Sequence, residues 1–150
     1  MIYIASDHAG FQLKGVLVEH LKSNGVEVTD CGPHEFDKAD DYPDFVLPCA
    51  EKVARGGSEA KGIVLGYSGQ GEAMAANKVK GVRAVLYYGS EKEIIKLTRQ
   101  HNNANVLSLG ANFVNDKEAK KVVDLWLETK YESGRHEKRL KKISDYEFSA

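Results

Sequence analysis

The sequence predicts an α/β fold: a single three-layer α/β/α domain, Rossmann-like, with an open five-stranded parallel sheet. Two observations predict it. Short apolar runs, typical of buried strands, alternate along the chain with segments whose apolar residues recur at helical spacing. No internal repeat, low-complexity tract or linker interrupts the 150 residues, so residues 1–150 are expected to form one domain. The helices that connect parallel strands are expected on both faces of the sheet.

Each predicted element rests on a local pattern. Strands are expected at 2–5, 26–28, 63–65, 82–87 and 106–109, where short apolar runs occur. Helices are expected at 11–21, 43–54, from 73, at 91–98, at 116–131 and from 135. The pairs Asn24–Gly25 and Gly56–Gly57 end the first two helices. Trp126 lies on the apolar stripe of the fifth helix, which favours the core or an interface over a binding site.

Composition excludes several function classes. Lys and Arg number 21 and Asp and Glu 22, and this net charge of −1 gives no basic field for nucleic acid. No apolar run has the length of a membrane span, and the first residues lack the pattern of a signal peptide. In such a chain, Cys31 and Cys49 are expected to be reduced thiols rather than a disulfide. We therefore expect a cytoplasmic protein without nucleic-acid or membrane partners.

The segment from Gly66 to Glu72 is the most informative stretch of the chain. It follows an apolar strand and leads into a helix-favouring run. Its three glycines let the backbone approach a ligand closely, and the helix N-terminus favours negative charge. Glu72 adds a carboxylate that can accept a proton beside these N–H donors, as chemistry through an enediolate requires. A phosphate or nucleotide site and a purely structural turn are about equally favoured by the glycines alone.

Three common motifs fit this turn poorly. No Gly-Lys-Ser/Thr follows the glycines, so the turn is not a P-loop. A dinucleotide site expects an acidic residue at the end of the next strand, where this chain has Tyr87-Tyr88-Gly89. A nucleophile elbow needs Gly-x-Ser-x-Gly, whereas Gln70 occupies the position of the second glycine.

Polar segments flank three of the predicted strands. Residues 6–10 (Ser-Asp-His-Ala-Gly) follow the first strand, the glycine turn follows the third, and 101–103 (His-Asn-Asn) precede the fifth. We expect these segments to converge at one edge of the sheet, because ligands of open α/β sheets bind beyond the carboxyl ends of the strands. Arg135 and Arg139 are spaced to share one helix face, where they could clamp a phosphate. Alone, each segment could equally be a cap, a polar turn or a solvated surface.

Together these segments resemble the type B ribose-5-phosphate isomerase family, which also contains galactose- and allose-6-phosphate isomerases. The motifs that carry the resemblance are Ser6–Phe11, Asp41–Pro43, Ser68–Glu72 with 75–79, Arg99–Asn105, and Gly134–His136 with Arg139. The resemblance covers nearly the whole chain in order. It implies aldose–ketose isomerisation of a sugar phosphate through an enediolate, with no metal and no cofactor. It also implies a homodimer or a dimer of dimers, in which the partner subunit completes each site.

Carried over position by position, the resemblance assigns roles to single residues. Many members use a cysteine base at the position of Gly66, and this chain resembles the branch that uses a glutamate instead, which is Glu72. Ser68 resembles the group that assists proton exchange between the substrate oxygens. His101 resembles the acid that opens the sugar ring, with Asp7 assisting. The residues that resemble substrate ligands are Asp7, His8, Tyr67, Ser68, Gly69, Gln70, Gly71, Asn102, Arg135 and Arg139.

Two departures from the family pattern leave the substrate open. Asn112 stands where the family often has a phosphate-binding arginine, and an amide carries no charge. Tyr67 is bulkier than the small residue expected there and could narrow the pocket. The open alternatives are a hexose 6-phosphate isomerase of the allose or galactose type, a non-catalytic sugar-phosphate binder and a nucleotide-binding module.

Two further points stay open at this stage. The acidic loop 34–41 holds possible metal ligands, but it is expected to be a solvated loop because it lacks a Cys/His spacing pattern. At Glu72, the helix N-terminus lowers the pKa while burial raises it, and the sequence does not decide between them.

Overall fold

The computed structural model, which describes residues 1–149, has the predicted α/β fold with one sheet of five parallel strands in the order β2-β1-β3-β5-β4. The strands are β1 (Ile2–Ser6), β2 (Val28–Asp30), β3 (Lys61–Gly66), β4 (Ala84–Tyr87) and β5 (Val106–Gly110). The helices are α1 (Phe11–Ser23), α2 (Pro43–Arg55), α3 (Gln70–Ala76), α4 (Glu93–Gln100), α5 (Asp116–Glu128) and α6 (Glu137–Phe148). A short 3-10 helix (Gly134–His136) precedes α6.

Two element boundaries differ from the predicted ones because hydrogen bonds hold the backbone in a turn or end a helix. The second strand begins at Val28 rather than Val26, because the Val26 N–H donates to Leu21 O and holds a turn after α1. The fifth helix ends at Glu128 rather than at residue 131, because Thr129 is extended and its hydroxyl donates back to Leu125 O. The spacing of apolar residues does not predict either hydrogen bond.

Hydrophobic packing on both faces of the sheet holds the layers together. One cluster joins the sheet to α1 and α5 and includes the fully buried Leu17, Leu109 and Trp126. The other joins it to α2 and includes Val46 and Cys49. The core position of Trp126 and the free thiols of Cys31 and Cys49 confirm the predictions for these residues. Within residues 1–149, no helix is both long and apolar enough to cross a membrane.

The parallel register divides the sheet into two functional edges. Ser6 pairs with Leu65 and Gly66 with Gly110, so the segments that follow β1, β3 and β5 emerge together at the carboxyl edge. Lys61 and Ala84 begin their strands at the opposite, amino edge. A residue just after a strand and a residue just before one therefore lie at opposite edges of this sheet.

Candidate active site

The glycine turn connects β3 to α3 at the carboxyl edge. Gly69 lies in the left-handed region, with φ of 78°, and a Cβ there would come within 2.9 Å of the Leu109 backbone. Underneath, the Ser108 hydroxyl donates to Gly69 O at 2.7 Å. The turn therefore needs glycine at position 69 and is supported by a buried serine of β5.

Glu72 lies in the first turn of α3 and its side chain folds back over the end of β3. A Cβ at Gly66 would overlap its carboxyl group, so the carboxylate fills the space where another residue at 66 would place its side chain. Glu72 is only 4% exposed. Burial raises the pKa of its carboxyl, more than the residue's own backbone N–H lowers it, and the charge of Asp7 raises it further. Burial therefore affects the pKa of Glu72 more than this hydrogen bond at the start of α3 does.

Asp7 follows β1 and is also buried at this edge. Its Oδ1 accepts hydrogen bonds from the N–H groups of Ala9 at 2.9 Å and Gly10 at 3.3 Å, which shapes the turn into α1. Since Asp7 also lies close enough to influence Glu72, it is both the turn-forming residue and a second carboxylate of the site.

His8 is fixed by the acidic loop. Asp40 Oδ1 accepts from the His8 backbone N–H at 2.9 Å and lies 2.6 Å from His8 Nδ1. This hydrogen bond is the main cause of a raised pKa at His8. Burial opposes the shift, and the charge of Asp7 adds to it. The expectation of a solvated loop is therefore wrong at Asp40, whose side chain is 7% exposed. Asp7, His8 and Asp40 have ligand atoms close enough to share an ion.

Aromatic residues form the outer rim of the carboxyl edge. The ring of Tyr67 is 59% exposed and packs edge-on against Phe113, with centroids 5.9 Å apart. The Asn112 N–H donates to Tyr67 O at 3.1 Å, so the side chain at 112 emerges beside the glycine turn. Tyr42 lies against the turn at Gly71, where a Cβ would come within 2.5 Å of its hydroxyl.

His101 and Asn102 lie elsewhere. They follow α4 and precede β5, and the neighbouring Asn103 accepts a hydrogen bond at its O from Arg83, which immediately precedes β4. These residues therefore belong to the amino edge. The expected convergence of residues 101–103 with the glycine turn within one chain is wrong, because a segment that precedes a parallel strand lies opposite the segment that follows one.

His101 contacts a residue that the sequence analysis did not single out. Its ring stacks on His136, with centroids 4.2 Å apart and planes 18° apart. His136 is buried, and burial, followed by the charges of His101 and Arg135, lowers its pKa. Its Nε2 lies 3.8 Å from a carboxylate oxygen of Glu132. These three residues also have ligand atoms close enough for one ion.

Arg135 and Arg139 lie beside this pair of histidines in the chain. Arg135 lies in the 3-10 helix rather than in α6, so the two arginines do not share one helix face as predicted. They are nevertheless close, since Arg139 Nη1 donates to Arg135 O at 3.0 Å. Both side chains are exposed.

The candidate residues thus form two half-sites, one at each edge of the sheet. The carboxyl-edge half-site comprises Asp7, His8, the turn 67–71 and Glu72. The amino-edge half-site comprises His101, Asn102, Arg135 and Arg139. The first offers a buried carboxylate beside backbone N–H groups, and the second offers an imidazole and two guanidinium groups.

Comparison with known proteins identifies the family. Residues 2–143 match the sequence profile of the Ribose/Galactose Isomerase family. The chain belongs to this family. Among its relatives, the probable ribose-5-phosphate isomerase B of Mycoplasma genitalium is 50% identical over 146 residues, covering 97% of this chain and 95% of the relative. Ribose-5-phosphate isomerase B of Mycobacterium tuberculosis is 41% identical over 148 residues, covering 97% and 89%.

Solved structures agree with the fold. The crystal structure of ribose-5-phosphate isomerase B from Mycoplasma genitalium with bound ribulose-5-phosphate superposes with a TM-score of 0.95, at 47% identity, covering 99% of this chain and 97% of that one. The enzyme from Clostridium thermocellum superposes with a TM-score of 0.91 at 41% identity, covering 97% and 96%. Family and fold are therefore those that the sequence motifs indicated.

Three residues of the half-sites were missed by sequence reasoning. Tyr42 and His136 lie within motifs that carried the family resemblance, so closer reading of Asp41–Pro43 and Gly134–His136 would have drawn attention to them. Asp40 had no such signal, because its contact with His8 depends on how a loop 32 residues away returns over the sheet edge.

Proposed function

We propose that this chain is an aldose–ketose isomerase that interconverts ribose 5-phosphate and ribulose 5-phosphate through an enediolate, with Glu72 as the base. The observation that carries the proposal is the buried Glu72 carboxyl, whose pKa is raised by burial, at the glycine turn. A carboxylate with a raised pKa is a stronger base than one in water. The relatives named as ribose-5-phosphate isomerases, one with ribulose-5-phosphate bound, support the choice of substrate.

The proposed reaction begins with ring opening. His101 donates a proton to the ring oxygen while Asp7 assists by accepting the proton of the anomeric hydroxyl, which releases the open-chain aldose; the two groups exchange these protons with solvent before the next turnover. Glu72 then takes the proton from C2 while the carbonyl oxygen at C1 gains the proton that the hydroxyl at C2 gives up, which gives the enediolate. Ser68 helps the proton exchange between O1 and O2. Glu72 finally returns its proton to C1 as a carbonyl forms at C2, so that no proton or electron is gained or lost overall.

Charge stabilisation is assigned to the backbone and the phosphate ligands. N–H groups of the turn 67–71 face the developing oxyanion, where preorganised donors stabilise the transition state more than the substrate. His8, Arg135 and Arg139 bind the phosphate, and Asn102 contacts the sugar. The raised pKa of His8, caused chiefly by Asp40, supports its role because a protonated imidazole binds a phosphate dianion better than a neutral one.

The proposed site forms between subunits. The two half-sites lie at opposite edges of one sheet, so a single chain does not bring Glu72 and His101 to the same substrate. We propose a homodimer or a dimer of dimers in which the amino-edge half-site of one subunit meets the carboxyl-edge half-site of another. We further propose that it acts in the cytoplasm, which is consistent with its two free thiols.

Hexose 6-phosphates are the second candidate substrate class, because Asn112 and Tyr67 flank the turn that binds the sugar. Turnover of ribose 5-phosphate, allose 6-phosphate and galactose 6-phosphate separates the classes, and calorimetry with NAD tests the nucleotide-binding alternative.

For ribose 5-phosphate, Glu72→Gln should lower kcat by about 10²–10⁴-fold with binding largely kept. The exposed Glu19→Gln is the matched control. Exchange of the C2 proton with deuterium at the parent rate in Glu72→Gln would overturn the role of Glu72.

A further inference from the structure

A cavity of about 240 Å³ at the amino edge is lined by three cationic side chains: Lys61, Arg83 and Arg99. Lys61 begins β3, Arg83 immediately precedes β4, and Arg99 lies in the last turn of α4. They come from three different elements and are brought together only by the fold. Lys61 and Arg99 also line an adjoining groove of about 440 Å³ that extends along the end of α5.

These cations are close and partly buried. Arg99 is 8% exposed, and Lys61 and Arg83 are intermediate. Burial lowers the pKa of all three, and the charge of Arg99 lowers that of Lys61 as the charge of Arg83 lowers that of Arg99. Within residues 1–149, none of them forms an ion pair. Like charges placed together in a partly desolvated site repel one another, and a bound anion would relieve that repulsion.

The polar groups at this site leave donors for such an anion. Arg83 donates through Nε to Asn103 O and through Nη1 to Gly81 O. Arg99 donates through Nε to Thr129 O and through Nη1 to Ala104 O and Asn103 Oδ1. Within the described residues, both Nη2 groups and the Lys61 Nζ make no hydrogen bond. Backbone carbonyls thus hold both guanidinium groups, and one N–H₂ group of each has no hydrogen-bond partner among residues 1–149.

A buried hydroxyl marks the same place. Tyr131 lines the adjoining groove, and its buried hydroxyl has no hydrogen-bond partner among residues 1–149 and lies near enough to Arg83 to influence the pKa of that guanidinium. Three carboxylates and a fourth cation also flank the region: Glu59, Glu128 and Lys130 line the groove, and Glu147 faces Arg83 from α6. Within the part of the chain that the structure describes, the carboxylates form no ion pair with Lys61, Arg83 or Arg99, and a net charge of +1 remains from these seven ionised groups.

We propose that this cavity is a second anion site, separate from the proposed substrate site, that binds a phosphate dianion, either free phosphate or the phosphoryl group of a small metabolite. Lys61 Nζ, the two Nη2 groups and the Tyr131 hydroxyl supply the donors. The site contacts the loop that carries the amino-edge half-site, because Arg83 and Arg99 both hold Asn103, next to His101 and Asn102. An anion bound there stabilises the loop 101–103 through Arg83 and Arg99, without contacting His101 or Asn102.

Calorimetric titration of inorganic phosphate into the His8→Ala/Arg135→Ala/Arg139→Ala protein tests the proposal, because this background lacks all three proposed substrate-phosphate ligands. Binding should remain in this protein and weaken by about tenfold or more with Lys61→Glu added, since a charge-assisted hydrogen bond to phosphate is lost. Lys22→Glu is the matched charge control, because this exposed lysine of α1 lines neither the cavity nor the groove. Sodium acetate at the same ionic strength controls for screening.

The variants also separate binding from folding. Lys61→Met removes the charge without adding a carboxylate, and amide NMR shifts on phosphate addition should appear at Gly81, Asn103 and Asn105. Ribose 5-phosphate titrated in parallel distinguishes the sources: affinities that are equal indicate free phosphate, and tighter binding of the sugar phosphate that Lys61→Glu weakens indicates a metabolite in the groove. Equal phosphate binding by the Lys61 variants and the Lys22→Glu control, or shifts confined to the glycine turn, overturns the proposal.

Discussion

The carboxyl group of Glu72 occupies the space that a side chain at Gly66 would need. The two residues are six positions apart in the sequence, but the turn between β3 and α3 folds the glutamate back over the end of the strand. A side chain at 66 and the carboxylate of Glu72 therefore exclude each other.

This exclusion predicts the behaviour of a relocated base. Gly66→Cys alone should lose most of its activity. Its free energy of unfolding should also fall by about 1–3 kcal/mol, which is the typical cost of overpacking a buried site. Gly66→Cys combined with Glu72→Ala should be more stable than Gly66→Cys, and it should regain measurable turnover that iodoacetamide abolishes. The parent, with no thiol at the turn, should resist the same reagent. Equal stabilities of the single and double variants, measured by urea unfolding, would show that the two side chains do not compete.

Glu72→Gln should stabilise the protein while it removes activity. Burial raises the folded-state pKa of Glu72 above its ordinary value of 4.5, so the folded protein holds this proton more tightly than the unfolded chain. The contribution of Glu72 to stability is therefore greatest below pH 4.5 and declines as the pH rises through the folded-state pKa. Glutamine lacks this penalty, so the free energy of unfolding of Glu72→Gln should exceed that of the parent by more at pH 7 than at pH 4. Glu19→Gln should show no such trend.

Asp40→Asn should change the pH dependence of substrate binding. Asp40 raises the pKa of His8 above its ordinary value of 6.5, so His8 stays protonated to a higher pH and loses its proton as the pH rises through this raised pKa. KM should therefore increase on the alkaline side in the parent. In Asp40→Asn the increase should begin at a lower pH, with kcat changed less than KM. The substrate phosphate titrates identically in both proteins, so it cancels in the comparison. Coincident KM profiles would remove the role of Asp40.

Two inactive variants should restore each other. Glu72→Gln disables the carboxyl-edge half-site and His101→Asn the amino-edge half-site. In a symmetric dimer with shared sites, a mixed dimer contains one intact site and one doubly altered site. Random mixing makes half of the dimers mixed, so activity should recover to about a quarter of the parent value per subunit. Refolding the two variants together and assaying the mixture measures this. Recovery no greater than the mean of the two separate activities would show that each site lies within one chain.

The fold was predictable because apolar runs mark four of the five strands and apolar periodicity marks the long helices, whereas β2 (Val28–Asp30) has no such run. Turn and loop contacts were not, because Val26 and Thr129 are held by hydrogen bonds that periodicity does not encode. The candidate site was predictable as a set of residues, since short motifs mark them. The division of these residues into two half-sites at opposite edges of the sheet was not predictable. His101 was assigned to the wrong edge because nearness to a strand in the sequence does not say at which end of the strand a residue lies. Whether Asp40 reaches His8 depends on the path of a loop that has no pattern of its own.

The mutual exclusion of a side chain at 66 and the carboxylate of Glu72 also constrains how such a protein can change over generations. A lineage that adds a side chain at 66 first passes through a crowded protein, and one that shortens Glu72 first passes through a protein without a base. Either single step is selected against, although the double change restores a filled and functional turn. Positions 66 and 72 should therefore vary together among descendants of this chain. Descendants that keep glutamate at 72 should keep glycine at 66.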